Sequence, residues 1–139
     1  MTLITRTYDE EAIRRVLVHQ DIADNIGVTE NPDFRVPIND DIHYLLMEGG
    51  LFILHEVEDG WEMHVNVLKD YRDKAHQGAA EMLEYAFNEL GASKVVCYIP
   101  QRFKNVYNFA LSFNMNDEGL KNGDHYLTLR YDQWALSEE

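Results

Sequence analysis

Apolar residues recur at every second position in some stretches of the chain and at every third or fourth in others. Thr2–Thr7 alternates and predicts a strand. Thr7-Tyr8-Asp9-Glu10 then reads as a capping box, with Thr7 as N-cap and Glu10 reaching back to it. Ala12, Ile13, Val16 and Leu17 follow at helical spacing, so a helix from about Asp9 to Ile22 is expected. Gly27–Pro37, containing Asn31-Pro32 and Val36-Pro37, reads as a loop, and either Asp21–Asn25 or Asn39–Ile42 is a candidate short second helix.

The period then shortens. Ile42–Met47, Leu51–Val57 and Trp61–Leu68 predict three antiparallel strands joined at Glu48-Gly49-Gly50 and Glu58-Asp59-Gly60. In the third of these, Trp61, Met63, Val65 and Val67 share one face, and Glu62, His64 and Asn66 share the other. From about Lys74 to Leu90 the pattern becomes helical, with apolar residues at 75, 79, 82, 83, 86, 87 and 90 forming one stripe, and Gly91 closing it. Lys94–Ile99 is apolar on both faces, as a central strand covered by helices would be.

Arg102–Phe113 repeats the helical period through Phe103, Val106, Tyr107 and Ala110. A last hairpin is expected to turn at Asn122-Gly123, with Tyr126–Tyr131 as its closing strand. The whole is expected to be one α/β (α+β) domain with a single mixed, mostly antiparallel central sheet flanked by helices.

Composition narrows the function. The 139 residues, 45% of them hydrophobic, are enough for a sizeable core. No apolar run is long enough to span a bilayer, and Met1–Arg6 lacks the features of a secretory signal, so no membrane partner and a cytoplasmic location are expected. The single cysteine, Cys97, rules out an internal disulfide and fits a reducing compartment. A formal charge of −13 argues against nucleic acid as a partner. That charge is uneven. Residues 69–104 carry six Lys/Arg against five Asp/Glu, while the rest carries six against twenty. An anionic ligand would suit the first segment and a cationic one the remainder.

The stretch 61–115 holds the candidate chemistry. A strand feeds a helix through Lys69-Asp70-Tyr71-Arg72-Asp73-Lys74-Ala75-His76-Gln77-Gly78, where backbone N–H groups and cations could meet a phosphate. The order of elements resembles that of the GCN5-related N-acetyltransferase (GNAT) superfamily over nearly the whole chain. The resemblance implies acetyl-CoA as co-substrate, with Val67, Leu68 and Lys69 on the pantetheine arm. It places Arg72, Lys74, Ala75, His76, Gln77 and Gly78 around the pyrophosphate. Tyr71-Arg72-Asp73-Lys74-Ala75 is similar to the family's Tyr-Arg-Gly-Lys-Gly, with Asp73 and Ala75 in place of both glycines. With Gly78 and Ala80 in the small positions instead, Ala75 stands where Gln or Arg is usual. Taking Asn114-Met115 as the family's Gly-Phe puts Ala110 where a general-acid Tyr is usual, with Tyr107 one turn earlier.

Glu62 and His64 are the candidate bases, because family members often carry the base on this strand, and Tyr107 is the candidate acid. The implied reaction is acetyl transfer to an amine, a small molecule or a protein group of cationic character. His43, His55, His64, His76 and His125 show no metal-ligand spacing, so no metal is expected. The alternative is a catalytically degenerate relative that works through protein contacts, as a homodimer or with an assembly partner. Gly49-Gly50-Leu51-Phe52-Ile53-Leu54-His55 is similar to segments of GNAT-like proteins of tailed bacteriophages, some linked to head assembly or the virion interior. That resemblance would place the chain in a host cytoplasm.

Overall fold

The computed structural model describes residues 2–22 and 36–137. Of the expected loop at Gly27–Pro37 only Val36 and Pro37, and of the candidate helix at Asp21–Asn25 only Asp21 and Ile22, lie within those residues. In chain order the elements are β1 (Thr5–Thr7), α1 (Glu10–Leu17), β2 (Ile42–Met47), β3 (Gly50–Val57) and β4 (Gly60–Val67). A 3-10 turn (Lys69–Lys74), α2 (Ala75–Glu84) and a π turn (Tyr85–Glu89) follow, then β5 (Lys94–Pro100), α3 (Lys104–Leu111), β6 (Asn116–Lys121), β7 (Asp124–Arg130) and α4 (Tyr131–Ser137). The strands form one seven-stranded mixed sheet in the order β1-β2-β3-β4-β5-β7-β6, flanked by helices. The chain divides into two compact units, residues 1–55 with 64–82 and residues 56–63 with 83–139.

In the first unit, β2 pairs antiparallel with β1 (Thr5↔Leu46) and with β3 (Leu45↔Phe52). Alternation sends Ile42, Tyr44 and Leu46 to one face, where they meet Ile13, Val16, Leu17 and Ile22. The opposite face carries Leu45, Met47, Phe52 and Leu54, all at most 5% exposed. There α2 approaches so closely that a Cβ on Gly78 would stand 2.6 Å from Phe52 Cζ and 3.2 Å from Met47 Sδ. Gly78 is therefore a packing residue at the start of α2.

The helix cap differs from the expected one. Asp9, not Thr7, is the N-cap of α1, accepting from the N–H groups of Glu11 and Ala12 at 3.1 and 3.3 Å. Thr7 instead accepts from Asp9 N–H, and Glu10 accepts from Val36 N–H at 3.4 Å. A carboxylate beside the helix start also gains from the helix dipole. β1 begins at Thr5, later than expected, because the N–H groups of Leu3 and Ile4 donate to the Glu81 carboxylate.

In the second unit β5 pairs antiparallel with β7 along its whole length, from Lys94↔Arg130 to Pro100↔Asp124. The hairpin between β6 and β7 turns at Asn122-Gly123 with φ of 53° and 85°, the left-handed pair that a two-residue turn of this hand needs. α4 was not expected from the sequence, which places Tyr131 in the closing strand. Trp134 of α4 stacks on Phe87 at 4.9 Å, and Tyr131 N–H donates to Ser93 O, so the chain bends out of the sheet at Arg130.

Cys97 lies in β5, 5% exposed, with its Sγ 4.0 Å from Met115 Sδ. Burial, and then the charge of Glu62, pushes its thiol up to about 12. We expect Cys97 to ignore a disulfide reagent at about pH 8 while the protein is folded and to react fully in denaturant. Rapid reaction of the native protein would show the thiol to be accessible.

Candidate functional site

In the first unit the residues that the resemblance assigns to the coenzyme run from the end of β4 into α2. Leu68 is extended, and its N–H donates to Gly49 O at 2.8 Å. The chain then winds into the 3-10 turn, with Tyr71 N–H returning to Leu68 O and Ala75 N–H to Arg72 O. Sequence reasoning expects an open loop here. The observed turn satisfies several of those N–H groups internally. Lys69 N–H donates to the Asp21 carboxylate at 3.1 Å, so the first amide of the turn already holds an anion. Arg72 Nε donates to Val67 O at 3.4 Å. Lys69, Arg72, Lys74, His76 and Gln77 are exposed, Leu68 is half-buried, and Val67, Ala75 and Gly78 are buried. Gln77 donates to Glu81 at 3.1 Å. The charged groups thus face solvent over a buried floor of small residues.

His64 is exposed on β4, and its ring stacks on that of His55 at 5.1 Å and 13°. Spacing along the sequence does not reveal this pair, because the hairpin brings it together. The two imidazoles are among the atoms a divalent cation would use in this region.

In the second unit β4 and β5 run parallel, paired at Trp61↔Val95 and Glu62↔Val96. Glu62 is half-buried and shares a face with its partner Val96 and therefore with Tyr98. Tyr98 is 43% exposed, although the sequence pattern of β5 expects both of its faces to be covered. Its ring lies 4.9 Å from that of Tyr126, its partner on β7. Lys121 Nζ sits over the Tyr126 ring at 3.9 Å. Burial, then Tyr126 and Glu62, holds the Tyr98 hydroxyl above the ordinary tyrosine range. Each strand contributes one tyrosine to this platform, and only the register of β5 with β7 brings the two together.

Tyr107, on α3, donates its hydroxyl proton to Asp117 Oδ2 at 2.6 Å. The His125 ring lies 4.2 Å from that of Tyr107, tilted by 36°, and brings Nδ1 to 3.7 Å from the same carboxylate oxygen. The bond to Asp117 raises the Tyr107 pKa, and the same bond, helped by Gly119 N–H, lowers that of Asp117. Asp117 was not singled out from the sequence, since its partners become neighbours only when β6 folds beside α3. Just beyond α3, Asn114 adopts φ 64° at the place where the resemblance expects Gly, and asparagine tolerates that conformation.

Neither a protein-family model nor a curated protein matches the sequence. Solved structures do. Vibrio cholerae spermidine/spermine N-acetyltransferase SpeG superposes with a TM-score of 0.63 at 15% identity, over 73% of this chain and 71% of that chain. A second structure of V. cholerae SpeG, a spermidine N-acetyltransferase, reaches 0.65 at 15% identity, covering 73% and 72%. Campylobacter jejuni N-acetyltransferase PseH gives 0.61 at 12% identity, over 67% of this chain and 70% of that one. Taken with the mixed sheet and the parallel β4–β5 pair, these matches show that the chain has the GCN5-related N-acetyltransferase fold.

Proposed function

We propose that the chain transfers an acetyl group from acetyl-CoA to the amine of a cationic acceptor. The observation that carries this reading is the parallel pairing of β4 with β5 at Trp61↔Val95 and Glu62↔Val96, which sets the candidate base Glu62 beside β5. In this reading the pantetheine arm of the coenzyme lies along the end of β4, at Val67, Leu68 and Lys69. The exposed Lys69, Arg72, Lys74 and His76 supply charge for its phosphates, with Val67, Leu68, Ala75, Gln77 and Gly78 forming the wall behind them. The solved neighbours that act on spermidine or spermine support an amine acceptor, as does the charge of −13.

In the proposed reaction the acceptor nitrogen, freed of its proton by Glu62 or His64, attacks the thioester carbonyl. A C–N bond forms, the C–S bond breaks, and the departing thiolate takes up a proton. Tyr107 could supply that proton only by giving up its bond to Asp117.

Calorimetric titration with acetyl-CoA tests the reading. We expect a Kd on the order of micromolar, weakened about tenfold or more in Arg72→Ala combined with Lys74→Ala, since charged hydrogen bonds contribute about 1.5–3 kcal/mol each. Absence of binding at millimolar coenzyme would overturn it. That result would favour a second reading, a non-catalytic protein of this fold acting in assembly. The specific observation on its side is that Asp21 already occupies Lys69 N–H and that the 3-10 turn consumes further amides.

A further inference from the structure

The exposed face of β5, β7 and β6 carries two features that point to the same ligand chemistry. Tyr98 and Tyr126 are directly paired in register, with ring centroids 4.9 Å apart at 32°, and Tyr98 remains 43% exposed. The two rings together make a contiguous aromatic patch on this face, the kind of surface that takes a ligand. One ring already carries a cover: the Lys121 ammonium, 3.9 Å from the Tyr126 centroid. An alkylammonium of this chain thus demonstrates which group the ring face accepts.

The surrounding charge favours the same choice. Glu62 lies one strand over and two residues back from Tyr98, about 8 Å between Cα atoms at ordinary sheet spacings. Glu118 reaches the same face, where it accepts from Thr128 Oγ1 at 2.9 Å. Tyr98 registers the Glu62 charge, which contributes to holding its hydroxyl proton more tightly. Lys121 is the only cation that a described aromatic contact places on this pair.

We infer that Tyr98 and Tyr126 form a subsite for the alkylammonium of a small aliphatic amine, and that Lys121 is a tethered occupant which the ligand must displace. The inference rests on the acetyl-transfer reading for its meaning, because it places an acceptor within one side-chain length of Glu62. The binding it predicts needs no coenzyme, so its failure and that of the coenzyme site are separable. Lys121 has a definite consequence here. A built-in competitor weakens the apparent affinity of the free amine and rejects ligands too weakly cationic to replace it.

The test is a titration of the full chain with cadaverine at low ionic strength, followed through tyrosine ring NMR signals without acetyl-CoA. Lys121→Met should tighten binding about two- to five-fold, the range expected for an exposed cation–π contact. Tyr98→Leu and Tyr126→Leu should each weaken it by a similar factor, and Tyr126→Phe should retain it. The decisive comparison is Lys121→Met in the Tyr126→Leu background. The gain should disappear there if Lys121 competes for the ring. A gain of equal size in both backgrounds would mean that only net charge had changed, and would overturn the proposal. So would binding of a lysine-containing tripeptide with none of cadaverine, since the occupant would then be a peptide side chain. Circular dichroism of each variant separates loss of binding from loss of fold.

Discussion

Phe52→Ala should lower the unfolding free energy by about 3–5 kcal/mol, the range for removing a buried aromatic ring. Phe52 is fully buried, stands opposite Leu45 on β2, and has Gly78 directly above it. At about 2.1 cal/mol/K of unfolding entropy per residue, that loss moves the melting temperature by roughly 10–17 °C. The cause can be separated from simple loss of apolar area. A Cβ at position 78 would project toward Phe52 Cζ and Cε2 at 2.6 and 2.7 Å, so Gly78→Ala alone overpacks and costs about 1–3 kcal/mol. With the ring gone, the same methyl group enters the space left behind and gains about 1 kcal/mol of helix propensity. Gly78→Ala should therefore change sign, from destabilising alone to stabilising in the Phe52→Ala background. Additive effects of the two substitutions, measured by denaturant titration, would show that the helix and sheet do not depend on that contact. Because Gly78 lies in the first turn of α2, just after the basic turn, Phe52→Ala should also weaken the proposed coenzyme site while leaving Arg72 and Lys74 in place.

Gly60→Ala should cost about 2–3 kcal/mol, near the top of the usual range for overpacking. The obstacle is backbone, not a pliable side chain: a Cβ at Gly60 would meet the carbonyl oxygen of Lys94. One of the two segments must move. The nearest ladder positions are Trp61↔Val95 and Glu62↔Val96, so of Val95 and Val96 the amide that points toward β4 should lose protection in hydrogen exchange more than the one that points toward β7. Unchanged protection with lowered global stability would place the strain elsewhere. Since Glu62 is set by this pairing, the variant should also lose acetyl transfer more than it loses coenzyme binding.

Long-period features were legible in the sequence wherever one side chain pattern had one physical solution. The apolar stripe from Ala75 through Met82, Leu83, Ala86 and Phe87 is buried as expected, and Asn122-Gly123 makes the turn its left-handed preference dictates. Cys97 is a core residue. The failures fall where two local solutions compete. Thr7 and Asp9 can both cap a helix, and the choice went to the carboxylate beside the first helical residue. The run Lys69–Lys74 has no apolar period, so nothing in it distinguishes a phosphate loop from a 3-10 turn. Residues 131–137 make only about two turns, too short a run for its apolar positions to establish a helical period before Phe87 is known to be the surface that Trp134 covers.

The site was legible only in part, for a related reason. Strand alternation puts Glu62 and His64 on the polar face, their candidacy as bases comes from the resemblance, and the basic residues of the turn are read directly from the sequence. Tyr98 with Tyr126, Tyr107 with Asp117, and His55 with His64 are pairs made by register and topology, which no single segment specifies.

The two outer strands of the sheet have a bearing on self-association. β1 is three residues long. At the other border, β6 is exposed along its whole length, carries Asp117, Glu118 and Lys121, and slips register between Asp117 and Leu120. A short border and a kinked, charged one are both poor templates for a neighbouring chain to add a strand. Polymerisation through sheet borders is therefore disfavoured, and a concentrated solution of the folded protein should resist growth of cross-β fibrils.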